Sequence, residues 1–155
     1  MLKVFTMRTF LLTFLLFPLS SIGTSMNEKA DLIIGTWKTA ERNSLVVEVY
    51  KSDNEYKAKI VWFNDSDDKS IPMTVRCDTK NPDKRLRTRK LIGLEVMSGL
   101  KYNDFEKEWQ SGKIYDATNG KTWDVKARLN NKGLLNVRGY WHLSILGQTM
   151  NFKKI

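Results

Sequence analysis

The chain has one cysteine, one histidine and three prolines in 155 residues, and each scarcity removes a class of explanation. A single thiol, Cys77, excludes an intramolecular disulfide, so a hydrophobic core must hold the fold. The lone histidine, His142, has no cysteine or carboxylate at metal-ligand spacing, so the sequence implies no zinc site and no cofactor. A Gly-x-Ser-x-Gly nucleophile elbow is missing. "DATNG" at 116–120 lacks the further oxygens and the terminal glutamate of a calcium loop, and a hairpin turn explains it. Helical periodicity is scarce beyond the opening segment, and no run there is long and apolar enough to span a membrane.

The opening segment is the exception. Lys3 and Arg8 precede the apolar "FLLTFLLF", Pro18 breaks it, and the small residues Ser21, Gly23 and Ser25 follow. This is the pattern of a secretory signal cleaved after Gly23 or Ser25. Its apolar core falls short of the roughly 20 residues of a spanning helix. No cysteine follows it to carry a lipid. The expectation is a cleaved signal over 1–25, a soluble single domain over 26–155 and a periplasmic or secreted location. A domain of that size buries roughly 68% of the surface its unfolded chain exposes, enough for a core without staples.

Charge is lopsided. The chain has 26 basic and 17 acidic side chains, and loss of Lys3 and Arg8 with the signal leaves 24 against 17, a formal +7. Such a surface favours anionic neighbours, which outside the cytoplasm means lipid head groups or envelope polymers rather than nucleic acid.

What recurs along the rest is short alternation rich in Val, Ile, Trp and Tyr, broken by turn residues. The runs are Gly35–Thr39, Ser44–Lys51, Glu55–Phe63, Leu91–Tyr102, Glu108–Asp116, Lys121–Leu129, Leu134–Ser144 and Gln148–Lys154. Short connections at "ATNG" and "NNKG" make neighbours antiparallel, with Asn-Gly suggesting a type I′ turn. Trp123, Val125, Ala127 and Leu129 then face one way and Asp124, Lys126 and Arg128 the other; Ala58, Ile60 and Trp62 likewise oppose Lys57 and Lys59. The fold class is all-β: about eight strands in an up-and-down meander, closed into a barrel to remove its two edges. A barrel of this size is either filled by side chains or left open at one end for a small ligand. The polar stretch 64–90 is too long for a structureless loop and should contain a helical turn or a lid.

"GTW" at 35–37, "KIVW" at 59–62, "DTKNPDKRLRTRKLIGL" at 78–94, "GKIYDATNGKTW" at 112–123 and "VRGYWHLSILGQT" at 137–149 together resemble the bacterial domain of unknown function 2147 family. The resemblance follows the family's order across nearly the whole mature chain. It implies a secreted, lipocalin-type or calycin-like barrel and carries no established activity. By the same analogy, Trp37 of Gly-x-Trp would plug one end, with Arg138 lying across its indole in a cation–π contact.

The charged stretch 78–93 holds the candidate site. "NPD" at 81–83 is a turn former, and Arg85, Arg87 and Arg89 alternate, sharing one side where the chain is extended. Asp78 and Asp116 are the carboxylates that could neutralise them. Two accounts stand side by side. In one, Asp78, Asn81, Arg87, Arg89, Asp116 and Lys121 form a buried network tying the long segment to the barrel wall. In the other, Arg87, Arg89 and Lys121 hold the acidic group of a ligand, and Tyr115 lines the cavity. The candidate ligand-binding residues are therefore Asp78, Asn81, Arg87, Arg89, Tyr115, Asp116, Lys121 and Arg138.

Three functions follow in order. The first is an exported module binding a small anionic or lipid-like ligand at an Arg-rich rim. The second is an envelope-associated interaction protein with a packed barrel and a basic surface that meets anionic polymers. The third is a hydrolase using Asp78 and Asp116, which requires the two carboxyls to stand about 5–9 Å apart.

Overall fold

The computed structural model describes residues 25–41 and 44–155, so the expected signal lies outside the described residues apart from Ser25. A short helix α1 (Ser25–Asp31) leads into eight strands: β1 (Gly35–Thr39), β2 (Leu45–Ser52), β3 (Glu55–Phe63), β4 (Glu95–Asn103), β5 (Glu108–Asp116), β6 (Lys121–Leu129), β7 (Leu134–Tyr140) and β8 (Gly147–Lys154). Each strand pairs antiparallel with the next, and β8 closes on β1 with Trp37 opposite Lys154. All sheet edges are thereby paired.

An up-and-down order sorts the connections between two ends. At one end lie α1 and the β2–β3, β4–β5 and β6–β7 turns; at the other lie the β1–β2 loop, the long 64–94 segment, the β5–β6 turn and the 141–146 loop. The first end is closed. Ile33 is fully buried, the Trp37 indole N–H donates to the Ile33 carbonyl at 2.8 Å, and the Trp109 indole N–H donates to the Ala30 carbonyl at 2.9 Å. Two buried indoles with satisfied N–H groups thus hold α1 and the turn after it against the barrel floor. Alternation predicted the strands but not this helix, which is too short to show a period.

The expected partner of Trp37 changes. Lys154, not Arg138, lies over the indole, its ammonium 5.4 Å from the ring centroid, and it also donates to the Leu32 carbonyl at 3.3 Å. Register decides this: Lys154 is the direct cross-strand neighbour of Trp37, while Arg138 lies toward the opposite end of β7. Gly35 makes room, because a Cβ there would stand 2.7 Å from the Lys154 Cε and its φ is +134°.

The faces of β6 follow the alternation, with Val125 and Ala127 buried. On β3 the pattern breaks. Val46 opposes Trp62 while Val47 opposes Ile60, so a bulge at Val61 shifts the register and puts Trp62 on the outer face beside Lys38. Phe63 lines the interior instead. Neither hairpin turn is type I′. Asp116 and Lys121 enclose a four-residue turn and Asn130 and Leu134 a three-residue one, and in each only the closing glycine, Gly120 or Gly133, has positive φ.

Candidate functional site at the open end of the barrel

The barrel encloses a cavity of about 1200 Å³ at the end opposite α1. Its depth is apolar: Val47, Val49, Ala58, Ile60, Met97 and Phe152 are among the lining side chains. Polar groups gather at the mouth, where Asn64, Thr79, Lys80, Asp116, Asn119 and Gln148 contribute. The four tryptophans that could have filled a solid barrel are dispersed. Trp37 seals the floor, Trp62 is outside, Trp123 forms wall, and Trp141 is half-exposed at the rim, edge-on to Trp123 with centroids 5.5 Å apart.

The long segment is organised by two charged centres. Arg76 donates to both Asp67 oxygens and to the carbonyls of Asp65, Asp68 and Ile71 at 2.7–3.0 Å, gathering residues 65–71 into a compact loop. It also lies over Phe63, 5.8 Å from the ring centroid. Sequence reasoning missed Arg76, since its partners are mostly backbone carbonyls that no residue type advertises.

The second centre is Asp78, which is fully buried. Its Oδ1 accepts from the Tyr115 hydroxyl at 2.6 Å, and its Oδ2 accepts from Asn81 Nδ2 at 2.8 Å and Arg89 Nε at 2.9 Å. The Arg89 Nη2 completes a two-nitrogen grip at 2.8 Å, and its guanidinium stacks 5.5 Å from the Tyr115 ring centroid. Burial pushes the Asp78 carboxyl upward, but the bonds from Tyr115, Asn81 and Arg89 outweigh it and hold it below the usual carboxylate range. Burial pushes the Tyr115 hydroxyl above its ordinary value, and the bond to anionic Asp78 adds to that.

Asn81 is nearly as deep, and its carbonyl accepts from Arg87 Nε at 2.7 Å. The three arginines do not alternate on one extended face. Lys84–Leu86 form a 3₁₀ turn capped by Asp83, which turns Arg85 out to pair with Asp83 and leaves Arg87 and Arg89 facing Asn81 and Asp78. The segment thus contains the expected helical turn.

Of the eight candidate residues, Tyr115 and Asp116 line the cavity. Asp78, Asn81, Arg87 and Arg89 come together with the Tyr115 hydroxyl in the wall behind it. Asp116 turns back on its own hairpin, accepting from the Thr118 hydroxyl at 2.6 Å and Asn119 Nδ2 at 2.7 Å. Lys121 stands apart, exposed in a shallow recess beside Thr122, Trp123 and Trp141. Arg138 lies on the outer face and holds the 141–146 loop, donating to the carbonyls of Ser144 at 2.6 Å and Ile145 at 3.0 Å and to the Thr149 hydroxyl at 2.9 Å. Cys77 lines the mouth. The β5–β6 turn locks onto the segment: a Cβ on Gly120 would stand 2.1 Å from the Lys80 carbonyl oxygen, at a φ of +74°.

Chemically, the arrangement suits an amphipathic guest. A polar molecule would lose hydration in the depth without regaining hydrogen bonds, whereas an apolar one loses little. Asp78 has no oxygen turned to the cavity and Asp116 is occupied by its turn, which does not suit paired acid–base work. Among the described residues no three His, Cys, Asp or Glu side chains cluster closely enough to hold a metal.

Residues 35–154 match the model of a bacterial family described as an uncharacterized protein conserved in bacteria, DUF2147. Among solved structures, the chain is similar to one described as "Protein HP1028 from the human pathogen Helicobacter pylori belongs to the lipocalin family", with a TM-score of 0.66 and 23% identity over 79% of this chain and 82% of that one. At that identity the likeness concerns the fold. Comparison with curated proteins finds no match.

Proposed function

This chain belongs to the DUF2147 family of bacterial proteins, and from that premise and the shape of its barrel we propose that it is an exported binding module for a lipid-like molecule. The observation that carries the reading is the apolar-lined cavity of about 1200 Å³, closed at the helical end and bordered by polar groups at the other. The guest's apolar body occupies the depth between Val47, Met97 and Phe152, and its polar end stays at the rim. Of the two cations that line the cavity, Arg76 is taken up by Asp67 and backbone carbonyls, whereas Lys80 is exposed and has no carboxylate partner among the described residues, which favours an anionic head group. Arg89 and Arg87 support the wall in this reading, and Tyr115 offers the guest its ring while its hydroxyl serves Asp78. Export follows from residues 1–25 read as a secretory signal.

The test is native mass spectrometry of protein purified from its own host, with long-chain fatty acid as the added probe for the emptied barrel. A retained or titrated amphiphile at one per chain supports the reading. Protein that carries nothing and takes up no fatty acid refutes it.

A further inference from the structure

Exposed apolar side chains are unevenly placed on this barrel. The loop Trp141–Leu146 presents Trp141, Leu143, Ile145 and Leu146 at 55–81% exposure, and Ile71, Val75 and Leu86 are exposed on the neighbouring segment at the same end. The loop is nevertheless well built. Its carbonyls at Ser144 and Ile145 are taken by the Arg138 guanidinium, the Leu146 N–H donates to the Leu143 carbonyl at 2.9 Å, and the Trp141 N–H donates to the Leu146 carbonyl at 3.3 Å. Because many of the loop's backbone groups already have protein partners while its apolar side chains point outward, the cost of taking it out of water is reduced.

Cations outnumber carboxylates around it. Lys69, Lys80, Lys84, Arg87, Lys90 and Lys121 are exposed on this end without a carboxylate partner among the described residues. Of the carboxylates at this end, Asp67 pairs with Arg76, Asp78 with Arg89 and Asp83 with Arg85, while Asp65, Asp68 and Asp116 accept hydrogen bonds within their own loops, so the cations remain in excess. An apolar tip containing a tryptophan, with Lys121 and Lys80 near it and further cations at the same end, complements the surface of an anionic lipid bilayer.

We propose that the open end of the barrel docks on an anionic phospholipid bilayer, with Trp141, Leu143, Ile145 and Leu146 entering the interface and the surrounding lysines facing the head groups. Docking does not depend on what fills the cavity. It would place the mouth, which Trp141 and Leu146 also line, directly against the membrane.

The experiment is co-sedimentation of the mature protein with vesicles of phosphatidylglycerol and phosphatidylcholine, against vesicles of phosphatidylcholine alone. The expected result is binding to the anionic vesicles that weakens as salt rises. Removing one rim charge, Lys84→Gln or Lys121→Gln, should weaken it about fivefold. Leu143→Ser with Ile145→Ser should weaken it at least tenfold while leaving fatty acid uptake intact, since neither side chain lines the cavity. Brominated lipid should quench tryptophan fluorescence in the native protein and not after Trp141→Phe. Failure to bind, or equal binding to both vesicle types, overturns the proposal. So does concentration-dependent dimerisation that the Leu143/Ile145 double variant abolishes without any vesicle binding, which would assign the patch to a second copy of the chain.

Discussion

Replacing Arg89 with methionine keeps most of the aliphatic stem and removes the guanidinium, which isolates what the charge does. Asp78 would remain fully buried, with Tyr115 and Asn81 as its side-chain donors and no cation. Breaking a fully buried pair costs about 3–5 kcal/mol, and an exposed pair is worth up to about 1 kcal/mol. Here the Asp78 side chain is 0% and the Arg89 side chain 37% exposed, so the cost should fall between those limits, at about 2–3 kcal/mol. In a domain of this size that lowers Tm by about 10 °C. Thermal and urea unfolding at pH 7, followed by far-ultraviolet circular dichroism, measure it. Asp78→Asn should also destabilise, and the double variant should cost less than the two singles added, with a coupling of about 1–3 kcal/mol. Ligand retention should not change, because neither group lines the cavity. An Arg89→Met protein that melts within about 2 °C of the parent yet loses its ligand would refute the reasoning and move Arg89 from the wall into the binding site.

Stability should respond to pH from both sides. Asp78 and Asp31 have lowered carboxyl pKa values, Asp31 through its bonds from Lys51 and Tyr56, so their contribution is complete above about pH 5 and is lost as pH falls through the folded-state values, below about pH 4. Burial raises Tyr50 to about 12 and also raises Tyr56 and Tyr115, so their contribution holds below about pH 10 and declines as pH climbs through the raised values; a Tm scan from pH 2 to 12 should show a plateau between. Gly120→Ala forces a Cβ against the Lys80 carbonyl at positive φ and should cost about 1–3 kcal/mol, with faster amide exchange confined to residues 76–90 and the β5–β6 turn. Ala58→Trp places a ring in the cavity and should weaken fatty acid binding at least tenfold while Tm stays within a few degrees, as measured by fluorescence displacement and calorimetry. Trp37→Phe loses the hydrogen bond to Ile33, weakens the contact with the Lys154 ammonium and leaves space where the larger indole stood, and should destabilise by about 2–3 kcal/mol in urea unfolding.

Much of the barrel could be read from local pattern. A residue's face on a strand depends only on its parity, so the limits of β1, β3, β5 and β6 and the meander order followed from alternation and turn residues. The partial failures are instructive. The run at Leu91 reads as the start of β4, but Leu91 bonds back to Arg76 of the long segment, Gly93 and Leu94 only join the neighbouring β3 at Ile60, and the strand begins at Glu95. Trp62 lost its expected face to one inserted residue, and a bulge leaves no mark in a run of apolar residues. For the candidate site, the sequence placed the charges of 78–89 at a barrel rim near Asp116. Tyr115, expected only to line the cavity, also donates its hydroxyl to Asp78, and Asp116 turns to its own hairpin instead of pairing with an arginine.

The amino-acid order alone determined an eight-stranded antiparallel barrel, one long polar excursion after β3 and a surplus of cations, because strand period, turn chemistry and charge are properties of neighbouring residues. Which cation covers Trp37, which carboxylate receives Arg89 and whether the middle is filled were decided by closure, since register around the barrel brings together residues that no local rule connects. The cavity belongs to that second class: it is the space left after eight inward faces meet, and its volume is a property of their circumference rather than of any single strand.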